Sequence, residues 1–273
     1  MKLFGVFGNP IAHSKSPLLH NATFLALEQT LGFKGNYQRI LITQGNLLGQ
    51  TFLELGLHGA NITSPFKQVA FSLSNAIKGL AQNLGAINTW VLEKGKLVGY
   101  NTDIEGFYLP LKEPLQTLDK PPAQITALIL GAGGSARAVA CALRSVGISI
   151  SVLNRSLAKL DFFKAQDLPC FTPHNFKPQS YDLIINTTTA GFIDDNLPCD
   201  RKLLGALFKQ ARIAYDLIYH KPTPFLQLAR QHGLIALDGK AMLITQAALS
   251  FALFCHHQVP LDQILKTMWG VFK

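Results

Sequence analysis

The sequence predicts an α/β protein with two domains, each built on a mostly parallel sheet. Short apolar runs alternate with helical patterns along most of the 273 residues, and such alternation is typical of parallel strands joined by helical crossovers. A glycine-rich turn near residue 131 joins one strand directly to a helix, as in open α/β sheets that bind ligands at strand ends. Prolines cluster between the two halves, at Pro110, Pro114, Pro121 and Pro122, and indicate a domain junction.

In the first half of the chain, apolar spacing and turn residues predict most of the strands and helices. The run Leu3–Phe7 predicts a buried strand that Gly8-Asn9-Pro10 ends. Ser16 before Pro17 predicts a helix start with Ser16 as N-cap. Lys94-Gly95 separates two β-like runs and predicts a hairpin. The further predictions are strands at Asn36–Ile42, Leu57–Ile62, Asn88–Leu92 and Lys96–Tyr100, a helix at Thr43–Leu55, and two short helices within Gln68–Leu84.

The second half continues the strand–helix alternation. From Asp103 to Pro122 we expect a helix followed by a proline-rich connector. The strands beyond it are predicted at Ile125–Leu130, Ile148–Leu153, Asp182–Asn186, Ile213–Leu217 and Leu234–Ala236. The helices are predicted at Ser135–Val146, Ala158–Gln166, Lys240–Phe254 and Leu261–Phe272.

The composition narrows the classes of partner. A formal net charge of +9 can serve nucleic acid, an anionic membrane or an anionic small molecule. The basic residues are spread along the chain, and their densest cluster is only Arg201-Lys202, so we expect no nucleic-acid partner. No apolar segment approaches the ~20 residues that span a bilayer, so no membrane partner is expected either. The excess charge therefore favours an anionic small molecule.

The cysteines and histidines predict no metal site. The four cysteines lie far apart without a CxxC pair, which fits reduced thiols in a cytoplasmic protein. Adjacent His256 and His257 cannot hold one metal ion from a helix, where ligands need a spacing of three or four. Whether the protein is a monomer or a homodimer stays open.

The glycine-rich turn has the pattern of a dinucleotide-binding site. Residues 125–137, ITALILGAGGSAR, place GxGxxA between a strand and a helix. Gly131 permits the tight turn, Gly133 lets a pyrophosphate approach the backbone, and Ala136 allows close helix packing. The free N–H groups of the helix start would bind the phosphates. We therefore expect a Rossmann-type domain with cofactor contacts at Gly131, Ala132, Gly133, Gly134 and Ser135.

The end of the next strand favours NADP(H) over NAD(H). An NAD site usually carries an acidic residue there for the ribose 2′-hydroxyl. This chain instead has Asn154, Arg155 and Ser156, and a guanidinium suits a dianionic 2′-phosphate. The alternative is that Arg155 is an ordinary exposed charge.

Several further motifs occur in an order that is specific to one family. They are NPIAHSKSP (9–17), NITSPFK (61–67), AINT (86–89), YNTD (100–103), GAGGSAR (131–137), LNRS (153–156) and DGKAMLITQAA (238–248). Together they resemble the shikimate dehydrogenase family over almost the whole chain. The resemblance implies reversible, NADPH-dependent reduction of 3-dehydroshikimate to shikimate in chorismate and aromatic amino-acid biosynthesis. It also implies an active site in the cleft between a substrate domain, 1–105 with 239–273, and an NADP-binding domain, 106–238.

The resemblance assigns the catalytic pair to Lys67 and Asp103. Hydride transfer to a ketone builds negative charge on oxygen, which needs a proton or a cation close by. Lys67 would exchange that proton with the C3 oxygen, and Asp103 would bind the C4 hydroxyl and hold the ammonium. Position alone shows only that both residues lie at strand ends. The alternatives to a catalytic role are that Lys67 is a surface lysine and that Asp103 is a helix N-cap.

The other site residues also follow from the resemblance. Ser14, Ser16 and Tyr219 would bind the substrate carboxylate, while Thr63, Asn88 and Gln246 would contact the hydroxyls and the ring. Thr187 and Thr188 would lie near the nucleotide, and Leu217, Gly239 and Met242 near the nicotinamide. Two other hypotheses stay open: a quinate/shikimate dehydrogenase that accepts NAD, and a nucleotide-sensing protein without catalysis.

Overall fold

The computed structural model describes residues 1–272, which divide into two compact units. Unit 1 consists of Met1–Gly106 and the C-terminal segment that begins at Ile244, and unit 2 consists of Phe107–Leu243. The divisions fall inside two helices, Thr102–Gln116 and Lys240–Phe254. Unit 1 therefore consists of two segments that are separated along the chain by the whole of unit 2.

The elements of residues 1–272 alternate as the sequence predicts. The strands are β1 Lys2–Gly8, β2 Gly35–Leu41, β3 Leu57–Ile62, β4 Ala76–Ile77, β5 Thr89–Glu93, β6 Lys96–Tyr100, β7 Thr126–Leu130, β8 Ser149–Leu153, β9 Cys170–Phe171, β10 Leu183–Asn186, β11 Ile213–Asp216 and β12 Ile235–Leu237. The α-helices are α1 Ser16–Ala26, α2 Glu28–Leu31, α3 Leu48–Glu54, α4 Lys67–Leu73, α5 Ala81–Leu84, α6 Thr102–Gln116, α7 Gly134–Ser145, α8 Asp161–Lys164, α9 Arg201–Phe208, α10 Pro224–Gln231, α11 Lys240–Phe254 and α12 Leu261–Gly270. Short 3-10 turns span Gly45–Leu47, Pro122–Gln124 and Leu157–Leu160.

The sheet of unit 1 has the order β2-β1-β3-β5-β6-β4. β5 runs antiparallel to β3 and β6, whereas β1 pairs in parallel with β2 and β3, and β4 with β6. Because β5 is inverted, its first residue lies where its neighbours end, and Thr89 pairs with both Asn61 and Tyr100. The loops after β3 and β6 and the loop before β5 therefore meet at one edge of the sheet.

Aromatic rings from α11 complete the core of unit 1. The ring of Phe251 lies 4.6 Å from that of Phe24, and the ring of Phe254 lies 5.1 Å from that of Phe4, between centroids. Gly59 on β3 leaves room for the Phe254 ring, which a Cβ at that position would overlap. Burial of large aromatic rings is a major favourable term in folding, so the sheet depends on a helix near the end of the chain.

Unit 2 is a parallel sheet with the order β12-β11-β10-β7-β8-β9. Read from β9, the strands follow the 3-2-1-4-5-6 order of dinucleotide-binding folds. The strand order reverses between β7 and β10, and ligands of such sheets bind at that point, beyond the carboxyl ends of the strands. Leu128, Ile184 and Phe225 are fully buried in the core beside the sheet. The predicted α/β fold class, with a mostly parallel sheet in each unit, is confirmed.

Three details of the predicted elements are wrong. Lys15, not Ser16, is the N-cap of α1, and its side chain makes no capping hydrogen bond. The segment Gln68–Leu84 contains strand β4 between its two helices, because Asn75 exchanges two hydrogen bonds with Leu97 on β6. The helix α6 continues through Pro110 and Pro114, although each proline lacks the N–H that a helix interior uses for its hydrogen bond to the carbonyl four residues earlier.

Two predicted helices are shorter than expected. The segment Thr43–Leu55 forms a 3-10 turn and then only α3, while Ala158–Gln166 forms a 3-10 turn and then α8. Glycines at positions 45 and 49 weaken the first of these helices. Within residues 1–272 no helix is long and apolar enough to cross a membrane. The same residues contain no group of three or more His, Cys, Asp or Glu side chains that could hold a metal ion.

Candidate active site

Lys67 and Asp103 form an ion pair at the loop edge of unit 1. Lys67 begins α4 just after β3, and Asp103 lies in the first turn of α6 just after β6. Lysine Nζ lies 2.5 Å from aspartate Oδ2, and the two side chains are 20% and 11% exposed. A pair so little exposed is screened less by solvent than a surface pair. The structure thus brings together the two groups that were expected to act as a pair.

Asn88 holds the other oxygen of the Asp103 carboxylate. Its Nδ2 donates to Asp103 Oδ1 at 3.0 Å, and its Oδ1 accepts from the backbone N–H of Thr102 at 2.8 Å. Asn101 Oδ1 accepts from the backbone N–H of Asp103 at 3.1 Å. Both carboxylate oxygens therefore have partners, and the start of α6 is fixed in one orientation.

The loop with Ser14 and Ser16 is tied to the sheet by backbone and arginine contacts. The Ser14 hydroxyl accepts from the backbone N–H of Ser16 at 3.3 Å. Arg39 on β2 donates from Nε and Nη2 to the Ser14 carbonyl oxygen. Both serines are half-buried. The loop thus presents its two hydroxyl groups from a constrained backbone.

Thr63 lies where the loop after β1 meets the loop after β3. Its backbone N–H donates to the Phe7 carbonyl at 2.9 Å, and the N–H of Asn9 donates to the Ser64 carbonyl at 3.2 Å. Its methyl group lies beside Gly8. These contacts hold the serine-bearing loop next to the segment that leads to Lys67.

Gln246 lies on α11 at the point where this helix crosses α6. A Cβ placed on Gly106 would come 2.6 Å from the Cβ of Gln246, so the glycine allows the two helices to approach closely. Gly106 is three residues after Asp103, and the spacing of one helical turn places both on the same face of α6. Gln246 is half-buried. The structure thus brings it to the helix that carries Asp103.

The sequence reasoning missed several buried polar residues of this edge. They are Tyr37, Asn61, Thr89, Thr102 and Ser250. A signal existed for two of them, because Asn61 interrupts the apolar strand β3 and Ser250 lies in the apolar helix α11. Such residues must find hydrogen-bond partners inside the protein, which marks them as members of a network.

The glycine-rich turn of unit 2 has an open helix N-terminus. Gly131 has φ +109°, and a Cβ there would lie 2.6 Å from Thr187 Oγ1. A Cβ on Gly133 would have no neighbour within 4 Å, and no side chain caps the helix α7 that starts next to it. Ala136 is fully buried. Gly131 thus serves the turn itself, while Gly133 borders space that an anion can occupy.

The rest of the turn places backbone groups at the same end of α7. Ala132 is buried, Gly134 is exposed and Ser135 is half-buried. Gly134 and Ser135 are the first two residues of α7. Their N–H groups belong to the helix start, whose positive dipole end favours phosphate groups.

Asn154, Arg155 and Ser156 follow β8 in an extended loop. The Asn154 N–H donates to the Phe171 carbonyl at 3.0 Å, and its side chain donates to the Ser156 carbonyl at 2.9 Å. Arg155 and Ser156 are exposed. Within residues 1–272 no carboxylate forms an ion pair with Arg155. Its guanidinium is therefore not neutralised by the protein.

Thr187 and Thr188 directly follow β10, next to the glycine-rich turn. The Thr187 hydroxyl donates to the Leu130 carbonyl at 2.8 Å, which fixes it against Gly131. The Thr188 hydroxyl donates to Asn186 Oδ1 at 2.7 Å. Both threonines thus border the point of the sheet where the strand order reverses.

Leu217 and Gly239 are in direct contact at the ends of neighbouring strands. The Leu217 N–H donates to the Asn186 carbonyl at 3.1 Å. A Cβ on Gly239 would overlap the Leu217 carbonyl group, so only glycine fits there. Met242 is buried nearby along the chain, and Tyr219 is half-buried in the loop after β11. Burial raises the pKa of the Tyr219 hydroxyl, so it is a neutral donor near pH 7.

Asp216 organises the loop that carries Leu217 and Tyr219. It is fully buried, and burial raises the pKa of its carboxyl although its hydrogen bonds oppose the shift. The carboxylate accepts from Thr223 Oγ1 at 2.6 Å and from the backbone N–H of Ile218 at 3.1 Å. The sequence reasoning missed this residue, whose position within a predicted strand gave no sign of its contacts.

Comparisons with known proteins point to one family. Residues 6–90 match the model of the shikimate dehydrogenase substrate binding domain. A shikimate dehydrogenase (NADP(+)) of Helicobacter pylori strain P12 is 49% identical over 273 residues, which cover 100% of this chain and 99% of the relative. The corresponding protein of Bacillus subtilis strain 168 is 33% identical over 98% of this chain and 97% of the relative.

The structural comparison agrees with the sequence comparison. A shikimate 5-dehydrogenase from Thermus thermophilus, solved in complex with NADP(H) and shikimate, superposes with a TM-score of 0.80 at 31% identity. The alignment covers 99% of this chain and 100% of that chain.

Proposed function

The chain belongs to the shikimate dehydrogenase family, and from this premise we propose that it catalyses the reversible, NADP-dependent oxidation of shikimate to 3-dehydroshikimate. The observation that carries the proposal is the contact between Lys67 Nζ and Asp103 Oδ2 at 2.5 Å. A lysine and a carboxylate held together at the ends of strands can exchange a proton with a reacting hydroxyl and stabilise the charge that develops on it.

Lys67 is the group that moves the proton. During oxidation its neutral amine takes the proton of the C3 hydroxyl and becomes the ammonium, and during reduction the ammonium returns that proton to the C3 oxygen. Asp103 keeps the ammonium group in place and accepts a hydrogen bond from the C4 hydroxyl. Asn88 supports both roles, because it holds Asp103 Oδ1 and leaves Oδ2 to the lysine.

The carboxylate of the substrate is assigned to the loop after β1 and to Tyr219. Ser14 and Ser16 offer hydroxyl groups near the start of α1, where the helix dipole favours an anion. Tyr219 contributes a neutral hydroxyl, which its raised pKa supports. Thr63, Asn88 and Gln246 are assigned to the ring and its hydroxyls.

Unit 2 has the features that a phosphorylated dinucleotide requires. The uncapped start of α7 and the open space at Gly133 suit the pyrophosphate. Arg155 and Ser156 suit the 2′-phosphate. Leu217, Gly239 and Met242 suit the nicotinamide. A bound NADP⁺ would supply the acceptor for the hydride that shikimate loses at C3.

Mixing the protein with shikimate and NADP⁺ tests this function directly. We expect absorbance of the reduced nicotinamide to appear, and much less of it when NAD⁺ replaces NADP⁺. Equal rates with NAD⁺, or a higher rate with quinate, would support the broader quinate/shikimate activity instead. NADPH binding without any turnover would support a nucleotide-sensing protein.

We further propose a cytoplasmic location, which the four unpaired cysteines support.

A further inference from the structure

Ser250 lies at the centre of a buried hydrogen-bond network in unit 1. It is fully buried on α11, in the segment of this helix that belongs to unit 1. Its Oγ lies 2.8 Å from Asn61 Nδ2, 2.9 Å from Thr89 Oγ1 and 3.0 Å from Thr102 Oγ1. One hydroxyl thus contacts polar groups of β3, β5 and α6.

The two threonine partners of Ser250 both contact the side chain of Asn88. Thr89 Oγ1 donates to Asn88 Oδ1 at 2.9 Å, and Thr102 Oγ1 accepts from Asn88 Nδ2 at 2.9 Å. The same Nδ2 donates to Asp103 Oδ1 at 3.0 Å. Ser250 is therefore connected to the catalytic carboxylate through two hydroxyls and one amide.

In the other direction the network reaches the hydroxyl of Tyr37 on β2. Asn61 Oδ1 accepts from the Tyr37 hydroxyl at 2.7 Å. Burial raises the pKa of the Tyr37 hydroxyl. The proton therefore stays on Tyr37, and the tyrosine is a fixed donor to Asn61.

We propose that Ser250 is a positioning residue for the proposed reaction: its Oγ accepts from the Thr102 hydroxyl, which accepts from the Asn88 amide, which orients Asp103 toward Lys67. This inference rests on the proposed function. Without the Ser250 hydroxyl, Thr102 keeps its bond to Asn88. It loses the contact that holds its hydroxyl in one geometry, and buried polar networks specify a geometry only when all members are satisfied.

The test compares Ser250→Ala with Thr23→Val. Thr23 is a matched control, because it is also fully buried in a helix of unit 1 and its hydroxyl donates to the carbonyl four residues earlier, at 2.8 Å. Ser250 makes the same type of bond to the Gln246 carbonyl at 3.0 Å. The two variants thus lose the same local bond, and only Ser250→Ala also disturbs the network.

We expect Ser250→Ala to lower kcat about tenfold, the effect of one lost hydrogen bond in the transition state, with an unchanged KM for NADP⁺. The primary isotope effect with shikimate deuterated at C3 should rise, because the chemical step becomes slower. Thr23→Val should keep both values. A kcat for Ser250→Ala equal to that of Thr23→Val, or a lower kcat with an unchanged isotope effect, would overturn the proposal.

A second variant tests the positioning role if Ser250→Ala does not fold, and a second readout tests it if the wild-type protein shows no turnover. If Ser250→Ala does not fold, Thr102→Val breaks the same connection, and wild-type turnover in that variant would refute the positioning role.

The side-chain amide signals of Asn88 in the NMR spectrum of the ligand-free protein give a readout that needs no activity. They should shift in Ser250→Ala and stay unchanged in Thr23→Val. If the wild-type protein shows no turnover, the proposed function fails, and unshifted Asn88 signals would then overturn the positioning role separately.

Discussion

Arg39 donates two hydrogen bonds to the carbonyl oxygen of Ser14, from Nε at 3.0 Å and from Nη2 at 2.6 Å. The arginine lies on the edge strand β2, and the serine lies in the loop between β1 and α1. Two hydrogen bonds from a charged guanidinium to one carbonyl oxygen form a stronger contact than one hydrogen bond between neutral groups. Arg39 thus fixes the backbone from which Ser14 and Ser16 present their hydroxyls.

We expect Arg39→Leu to raise the KM for shikimate about tenfold, which corresponds to the loss of one charge-assisted hydrogen bond. The value of kcat should change little, because the loop binds the carboxylate and not the reacting oxygen. Steady-state kinetics with shikimate as the varied substrate measure both. Arg144→Leu is the control, since this exposed arginine of unit 2 donates to Gln166 in a similar way. An unchanged KM in Arg39→Leu would show that the loop needs no such support.

Replacement of Lys67 tests the proton transfer. We expect Lys67→Ala to lower kcat by two or more orders of magnitude, on the usual scale of general acid–base catalysis. The affinity for NADPH should stay nearly unchanged, as measured by fluorescence titration. Lys78→Ala is the control, because Lys78 forms a comparable ion pair with Glu93 at 2.9 Å. Normal turnover of Lys67→Ala would remove this lysine from the mechanism.

Reversal of the charge at Arg155 tests the cofactor preference. We expect Arg155→Asp to weaken NADPH binding far more than NADH binding, because only NADPH carries the 2′-phosphate that a guanidinium binds. Titration of both cofactors against wild type and variant measures the difference. Arg201→Asp, at another exposed arginine of unit 2, should change neither affinity. Equal losses for the two cofactors would mean that Arg155 does not contact the 2′-phosphate.

His20 makes the stability of the protein depend on pH. It is fully buried and stacked on Tyr37 at 4.2 Å between ring centroids. Within residues 1–272 neither ring nitrogen has a hydrogen-bond partner, and burial lowers the pKa from 6.5 to about 3. As pH falls below 6.5, the imidazole of His20 binds a proton in the unfolded chain but stays neutral in the folded protein. The free energy of unfolding therefore falls by up to ~1.4 kcal/mol per pH unit from this group.

Denaturant unfolding of wild type and His20→Leu between pH 7 and pH 4 measures this contribution. The variant should lose the part of the slope that one proton supplies, whatever its stability at pH 7. His174→Leu, at an exposed position, should keep the wild-type slope. If His20→Leu and wild type lose stability in parallel, His20 takes up a proton in the folded state.

Elements with local signals could be predicted from the sequence. The turn from β7 to α7 depends on Gly131 and Ala136, and the hairpin of β5 and β6 on Lys94-Gly95, whose φ angles of 49° and 76° suit a tight turn. β4 could not be predicted, because two residues carry no periodicity. It forms by pairing with β6, where Asn75 binds the backbone of Leu97 and the Lys78 N–H donates to the Gly99 carbonyl.

The candidate site shows the same limit. The sequence places Lys67 and Asp103 at the ends of two strands, but their contact across 36 positions depends on the inverted strand between them. The contact of Asn61 with Ser250 spans 189 positions, and no local sequence pattern indicates that these two residues are in contact. Their roles, like those of the other site residues, stay predictions until the variants are measured.

The interrupted course of unit 1 along the chain has a consequence for its biosynthesis. The rings of Phe251 and Phe254, which fill its core, are translated only after all of unit 2. At ribosomal speeds of ~5–20 residues per second, Phe4 and Phe24 are synthesised roughly 10 to 50 seconds before these partners. The nascent N-terminal sheet therefore exposes an apolar surface during that interval.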